Sequence, residues 1–96
     1  QTLEVFCLNF GENAGKAALK LVLQLRSLGI RADLYPNDSK ISKQFKYADK
    51  RGVPYVVLIG DEELENQTFT VKDMKTGSQR TYALADWETF GRALQP

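Results

Sequence analysis

The chain lacks histidine altogether and contains a single cysteine, Cys7, among its 96 residues. Without histidine it has neither a Cys–His nucleophile pair nor the commonest general base, so hydrolytic chemistry is disfavoured. A soft-metal site built on cysteine and histidine is excluded for the same reason. A single cysteine cannot form an internal disulfide, which fits a reducing, cytoplasmic setting.

Long apolar runs and a strong net charge are also missing. No apolar stretch approaches the roughly 20 residues that span a bilayer, so we expect no membrane partner. The first four residues include no basic one, unlike the start of a signal peptide. A first residue other than Met, directly before a strand, suggests a piece of a longer protein. The formal net charge is +1, so any basic surface for nucleic acid has to be local.

Strand and helix patterns alternate along the chain. Apolar, β-favouring runs predict strands, and apolar residues at i, i+3, i+4, i+7 spacing predict helices. The predicted strands are 3–8, 30–35, 54–59, 68–73 and 80–84, and the predicted helices are about 14–28, about 40–51 and one after residue 86. Two strand–helix–strand units imply three parallel strands with helices on both faces, and the final hairpin makes the sheet mixed. The predicted fold is a single three-layer α/β/α domain with a five-stranded mixed sheet and three helices.

Several residues are predicted to end or cap these elements. Gly29 and Gly52 close the first two helices. Asp38 or Ser39 is placed to cap the second helix, and Asp86 the last one. Cys7 lies late in the first strand, where a buried thiol acts as a small hydrophobe.

The second helix and its entry carry five basic residues against two acidic ones. The basic residues are Lys40, Lys43, Lys46, Lys50 and Arg51. Such a helix face is either simply solvated or binds the phosphates of a nucleic acid. Contacts to phosphates give an affinity that depends on salt and not on sequence. Gln44 and Tyr47 interleave with the lysines, and a tyrosine can stack on an unpaired base.

An acidic loop is predicted at residues 61–65, directly after the third strand. It is either a polar loop at a strand end or a site where a carboxylate accepts hydrogen bonds from a base. In open α/β sheets, ligands bind outside the carboxyl ends of the parallel strands. Glu63, the Asn37–Asp38 turn and the start of the second helix all project from that edge, so we expect a ligand there.

Four stretches carry a resemblance to a known family: 25–34, 41–50, 52–63 and 70–77. They occur in register with matching spacings, and the likeness extends from Leu21 to Leu94. The chain resembles the anticodon-binding domains at the carboxyl end of class IIa aminoacyl-tRNA synthetases, most closely those of histidyl-tRNA synthetases. The stretches 43–48 and 71–74 favour the histidyl branch.

The resemblance implies that residues 1–96 are the carboxyl-terminal domain of a longer synthetase, docked on the catalytic domain of a homodimeric parent. That cytoplasmic parent would use ATP and magnesium to ligate histidine to its tRNA. This domain carries none of the class II catalytic motifs, so alone it should be inactive and bind no cofactor or metal. Its partner would be histidine tRNA.

The resemblance also implies which side chains contact the anticodon. A carboxylate after the third strand and a basic residue on the fourth map onto Glu63 and Lys72. The turn before the second helix and the exposed side of that helix add further contacts, from Asn37, Asp38, Gln44 and Lys46. Phosphate contacts would come from Lys43 and Lys50. The threonyl branch has arginine in place of Lys46 and Lys72, and lysine cannot form the planar two-donor fork to guanine.

Three alternatives stay open at this point. The parent could be a prolyl-, threonyl- or glycyl-tRNA synthetase, which the catalytic domain would decide. The same fold also serves as a non-catalytic docking module in regulatory proteins, which lack a working class II active site. A small flavodoxin-like or redox domain is the remaining possibility, and it would show the absorbance of a bound cofactor.

Overall fold

Five strands form one mixed sheet, in the order β2-β1-β3-β4-β5, in the computed structural model, which describes residues 2–95. The strands are β1 (Val5–Cys7), β2 (Ala32–Leu34), β3 (Tyr55–Leu58), β4 (Thr68–Asp73) and β5 (Gln79–Ala83). β1 lies between β2 and β3 and is parallel to both, whereas β4 is antiparallel to β3 and to β5. The predicted mixed sheet is therefore confirmed.

Within residues 2–95, four helices accompany the sheet, one more than predicted. They are α1 (Glu12–Ser27), α2 (Ile41–Arg51), α3 (Asp61–Asn66) and α4 (Trp87–Leu94), the last preceded by one 3₁₀ turn at Leu84–Asp86. The prediction of a loop at 61–65 was wrong, because this segment forms α3. Three carboxylates in the first turn of α3 favour a helix, since they lie against the positive end of its dipole.

The helices cover the two faces of the sheet unequally. On one face, α1 and α4 pack on a buried cluster that includes Val5, Val57, Phe69 and Phe90. On the other face, α2 packs on a smaller cluster built around Phe6, Leu8, Ala48 and Val56. The second cluster contains no residue of β4 or β5 among the described residues. α1 and α4 thus cover one face except at the exposed Arg80 of β5, whereas α2 covers the other face only over β1 and β3.

The predicted helix ends are partly confirmed. Gly52 ends α2 in the left-handed conformation, with φ of 68°. The predicted side-chain cap of α2 was wrong: the helix begins after Lys40, and no side chain caps it. Instead, Oδ1 of Asn37 accepts a hydrogen bond from the backbone N–H of Ser39 at 3.1 Å, and this bond closes a local turn before the helix. Asp86 precedes α4 as predicted, but its side chain makes no cap hydrogen bond.

Gly91 lets α4 approach the end of α1 closely. A Cβ atom at this position would lie 2.6 Å from Cδ1 of Leu28 and 3.2 Å from Cδ2 of Leu25. Any larger residue would therefore force the Leu28 side chain to move and would crowd Leu25.

Cys7 is fully buried in the middle of the sheet, as its predicted structural role requires. Burial, with a smaller contribution from the negative charge of Asp33, raises the pKa of its thiol to about 12. The thiol is therefore protonated at neutral pH.

Over residues 2–95, no helix combines the length and apolar character needed to cross a membrane.

Candidate nucleic-acid interface

A polar strip of sheet lies open beside α2. Phe69 and Val71 point into the cluster under α1 and α4, so the alternating residues Thr68, Thr70 and Lys72 point to the other face. On β5, the exposed residues Gln79 and Thr81 lie opposite Lys72 and Thr70 on the same face. The strip consists of β4 and β5 side chains that α2 does not cover.

Glu63 borders this strip from the first turn of α3. Its Oε1 accepts the backbone N–H of Gly60 at 2.8 Å, and its Oε2 accepts the hydroxyl of Thr70 at 3.1 Å. An ionised carboxylate has about four lone-pair sites, so two of them are left for a ligand. Together with Leu58, Thr68 and other strip residues, Glu63 lines a concavity of about 370 Å³.

Lys72 lies on the same strip, at the end toward α2. It is partly buried, and its Nζ lies 5.1 Å from the centroid of the Phe45 ring on α2. The ring attracts the ammonium group electrostatically and holds it between the helix and the strand. Since successive residues on one face of a strand are about 7 Å apart, Lys72 is the next strip residue after Thr70, which contacts Glu63. The two predicted site residues thus border the same strip.

Asn37 and Asp38 are exposed in the turn after β2, at the carboxyl edge of the parallel strands. They line a concavity with Asn9 and Gly11, which follow β1. Because β1 lies between β2 and β3, about 10 Å of sheet separates this turn from the end of β3, where α3 begins. The turn and Glu63 share one edge of the sheet without touching.

Gln44 was predicted on the exposed side of α2, and this placement was wrong. The side chain is fully buried. Its Oε1 accepts the backbone N–H of Asn9 at 2.8 Å, while its Nε2 donates to the carbonyls of Asn9 and Ser39 at 2.9 and 2.7 Å. Position 44 falls within the inward stripe of α2, formed by 41, 44, 45 and 48, so helical spacing contained the signal. Gln44 ties three segments together and has no donor left for RNA.

Three lysines form a stripe on the outer side of α2. Lys43, Lys46 and Lys50 are all exposed and lie within one face of the helix, opposite the buried Ala48. Tyr47 is 40% exposed, but its ring packs against Phe6 and Tyr35. The lysine stripe is thus open to a phosphate backbone.

Two useful positions escaped prediction. Thr70 contacts Glu63, a partner that only the fold identifies. Phe10 follows β1, is 36% exposed, and lies 3.6 Å from the position a Cβ would take at Gly60. An exposed aromatic residue directly after a strand can stack on a base, and this pattern was visible in the sequence.

Over residues 2–95, no group of three or more His, Cys, Asp or Glu residues could hold a metal ion.

A family model described as the anticodon binding domain matches residues 4–93. The chain belongs to this family. Among curated relatives, a histidine–tRNA ligase of Christiangramia forsetii is 49% identical over 79 residues, which are 82% of this chain and 17% of that protein. The histidine–tRNA ligase of Staphylococcus haemolyticus is 43% identical over 83 residues, 86% of this chain and 20% of that protein. This anticodon-binding domain thus spans a fifth or less of the length of these two relatives.

Solved structures agree with this assignment. The apo histidyl-tRNA synthetase of S. aureus superposes with a TM-score of 0.84 at 40% identity, over 94% of this domain and 23% of that chain. The enzyme of a Nostoc species superposes with a TM-score of 0.86 at 32% identity, over 99% of this domain and 23% of that chain. The RNA binding domain of a Cryptosporidium parvum threonyl-tRNA synthetase reaches 0.84 at 16% identity over 96% of this domain, and it shows the fold alone.

Proposed function

We propose that this domain binds the anticodon loop of histidine tRNA as the carboxyl-terminal part of a histidine–tRNA ligase. The observation that carries the proposal is the open polar strip beside α2, where Glu63 contacts Thr70 and Lys72 follows on the same face of β4. A carboxylate repels phosphates, so its place next to basic groups favours contact with a base edge. The identities to histidine–tRNA ligases support this choice of amino acid.

The strip and the helix beside it have different tasks in this proposal. Bases of the loop unstack and lie against the strip, where Glu63 accepts their N–H groups and Lys72 donates to their acceptors. Each such contact contributes about 1–3 kcal/mol. The lysine stripe of α2 contacts phosphates, which adds affinity without sequence preference. Asn37 and Asp38 contact the loop at the carboxyl edge of β2.

The parent protein supplies the chemistry. Its catalytic domain activates histidine with ATP and magnesium and transfers it to the tRNA, as part of a cytoplasmic homodimer. The present domain contributes selectivity by holding the anticodon. The supporting observation is that this chain makes up only 17% to 20% of those two relatives, so most of the parent lies outside it.

The test is binding of the 96-residue chain to folded histidine tRNA, compared with a copy whose anticodon is replaced, at two salt concentrations. We expect tighter binding to the native anticodon at both concentrations, because base contacts persist when phosphate contacts weaken. Equal binding that only weakens with salt would contradict anticodon recognition and leave a basic docking surface.

A further inference from the structure

The carboxylate of Glu63 lies on a short helix whose apolar anchor is Leu64, which packs against the cluster under α1 and α4. α3 has six residues, and none of them is buried. Its ends are set by Gly60 and by Gln67, which is left-handed with φ of 56°. A side chain on such a helix keeps much rotamer freedom unless a neighbouring element restrains it.

That restraint comes from β4. Thr70 lies between β3 and β5, paired with Leu58 on one side and Thr81 on the other. Its hydroxyl donates to Oε2 of Glu63 at 3.1 Å, so its single proton is committed to the carboxylate. The Thr81 hydroxyl lies 3.5 Å from the Thr70 hydroxyl, at the outer limit of a hydrogen bond. Thr70 therefore joins a site residue on a short helix with no fully buried residue to a strand that is paired on both sides.

We propose that Thr70 is a positioning residue for anticodon recognition, which acts by holding the Glu63 carboxylate in one orientation. This inference rests on the proposed function. With one donor on each oxygen, from Gly60 and from Thr70, the carboxylate stays an acceptor with fixed directions for its remaining lone pairs. A base N–H then binds a carboxylate that already has the right orientation. The conformational entropy lost in ordering the Glu63 side chain is lost on folding and not on binding.

The experiment compares Thr70→Val with Thr70→Ser and uses Thr89→Val as the control. Thr89 has the same residue type, is exposed, and lies on α4, which packs on the opposite face of the sheet. The measurement is the ratio of affinities of the 96-residue chain for histidine tRNA with native and with replaced anticodon. We expect Thr70→Val to lower this ratio about two- to tenfold, the range for removal of one hydrogen bond. Thr70→Ser and Thr89→Val should keep the wild-type ratio.

A second comparison separates positioning from a direct or structural role. In a chain that already carries Glu63→Ala, Thr70→Val should change the ratio no further, because no carboxylate is left to position. An equal loss in both backgrounds would overturn the inference, as would a wild-type ratio in Thr70→Val. If Glu63→Ala weakens native binding and Thr70→Val does not, only this inference fails. If the wild-type chain shows no preference for the native anticodon, the proposed function fails and this inference with it.

Discussion

At the scale of single residues, Glu63 performs two tasks with one carboxylate. Its Oε1 satisfies the backbone N–H of Gly60 at the start of α3, and its Oε2 takes the Thr70 hydroxyl. The lone pairs that remain are the ones available to a ligand. Removal of the side chain would therefore lower both the stability of the fold and the affinity for tRNA. A substitution that keeps the hydrogen bond to Gly60 is needed to separate the two effects.

Glu63→Gln separates the two tasks. In the variant, the amide oxygen can still accept the hydrogen bond from the Gly60 N–H. The amide NH₂ takes the place of Oε2, so a donor faces the strip where the wild type has an acceptor. We expect Glu63→Gln to lose affinity for the native anticodon at nearly wild-type stability, measured by tRNA binding and denaturant unfolding. Glu63→Ala should lose both affinity and about 0.5–2 kcal/mol of stability, because the helix start loses its acceptor. Wild-type binding by Glu63→Gln would remove Glu63 from the site.

At the scale of elements, α2 has two faces with opposite tasks. The inner face buries Ala48 against the sheet and holds the loops after β1 and β2 through Gln44. Phe45, at the side of this face, holds Lys72 of β4 by its ring. The outer face presents the lysine stripe. The helix therefore links the carboxyl edge of the sheet, the open strip and the basic surface.

The lysine stripe should control the salt dependence of tRNA binding. If Lys46 contacts one phosphate, Lys46→Ala should reduce the slope of log affinity against log salt by about 0.7, the value for single strands. Affinities over a salt series measure this slope. Lys20→Ala is the control, because this exposed lysine lies on α1, on the other side of the sheet. An unchanged slope in Lys46→Ala would place Lys46 outside the footprint.

At the scale of the whole molecule, β1 lies in the middle of the parallel half of the sheet and contributes to both cores. Val5 and Cys7 face the cluster under α1 and α4, while Phe6 faces the cluster under α2. Any charge on β1 is thus confined between two apolar layers. The protonation of Cys7 is for this reason coupled to the stability of the entire fold.

Stability should fall at alkaline pH because of Cys7. The folded-state pKa is raised from 9.0 to about 12, so between these values the unfolded chain releases a proton that the folded chain keeps. The contribution of Cys7 is fully present below pH 9 and is lost as pH rises, at up to about 1.4 kcal/mol per pH unit. Denaturant unfolding from pH 8 to 11 should show a shallower decline in Cys7→Ala than in the wild type. Parallel declines would contradict this coupling.

The order of elements followed from the sequence because it depends on local periodicity. Apolar spacing of 3.6 residues identified α1, α2 and α4, and continuous or alternating apolar runs identified the five strands. The mixed sheet followed from the lengths of the connections. A parallel pair needs a long crossover, and the segments that join the last three strands are too short for one. α3 escaped because six largely polar residues contain no apolar stripe; its helix depends on the Gly60–Glu63 contact.

The geometry of the candidate site was decided by the tertiary structure. The edge of the sheet indicated Glu63 and the family resemblance added Lys72, but the partner of Glu63 depends on the register that brings Thr70 beside α3. Gln44 was predicted on the surface from its place between the lysines and from the family resemblance. It is buried because backbone groups of Asn9 and Ser39, from two other segments, satisfy its amide. Local patterns determine which elements form, whereas the partners of a polar side chain depend on contacts between distant segments, which periodicity does not encode.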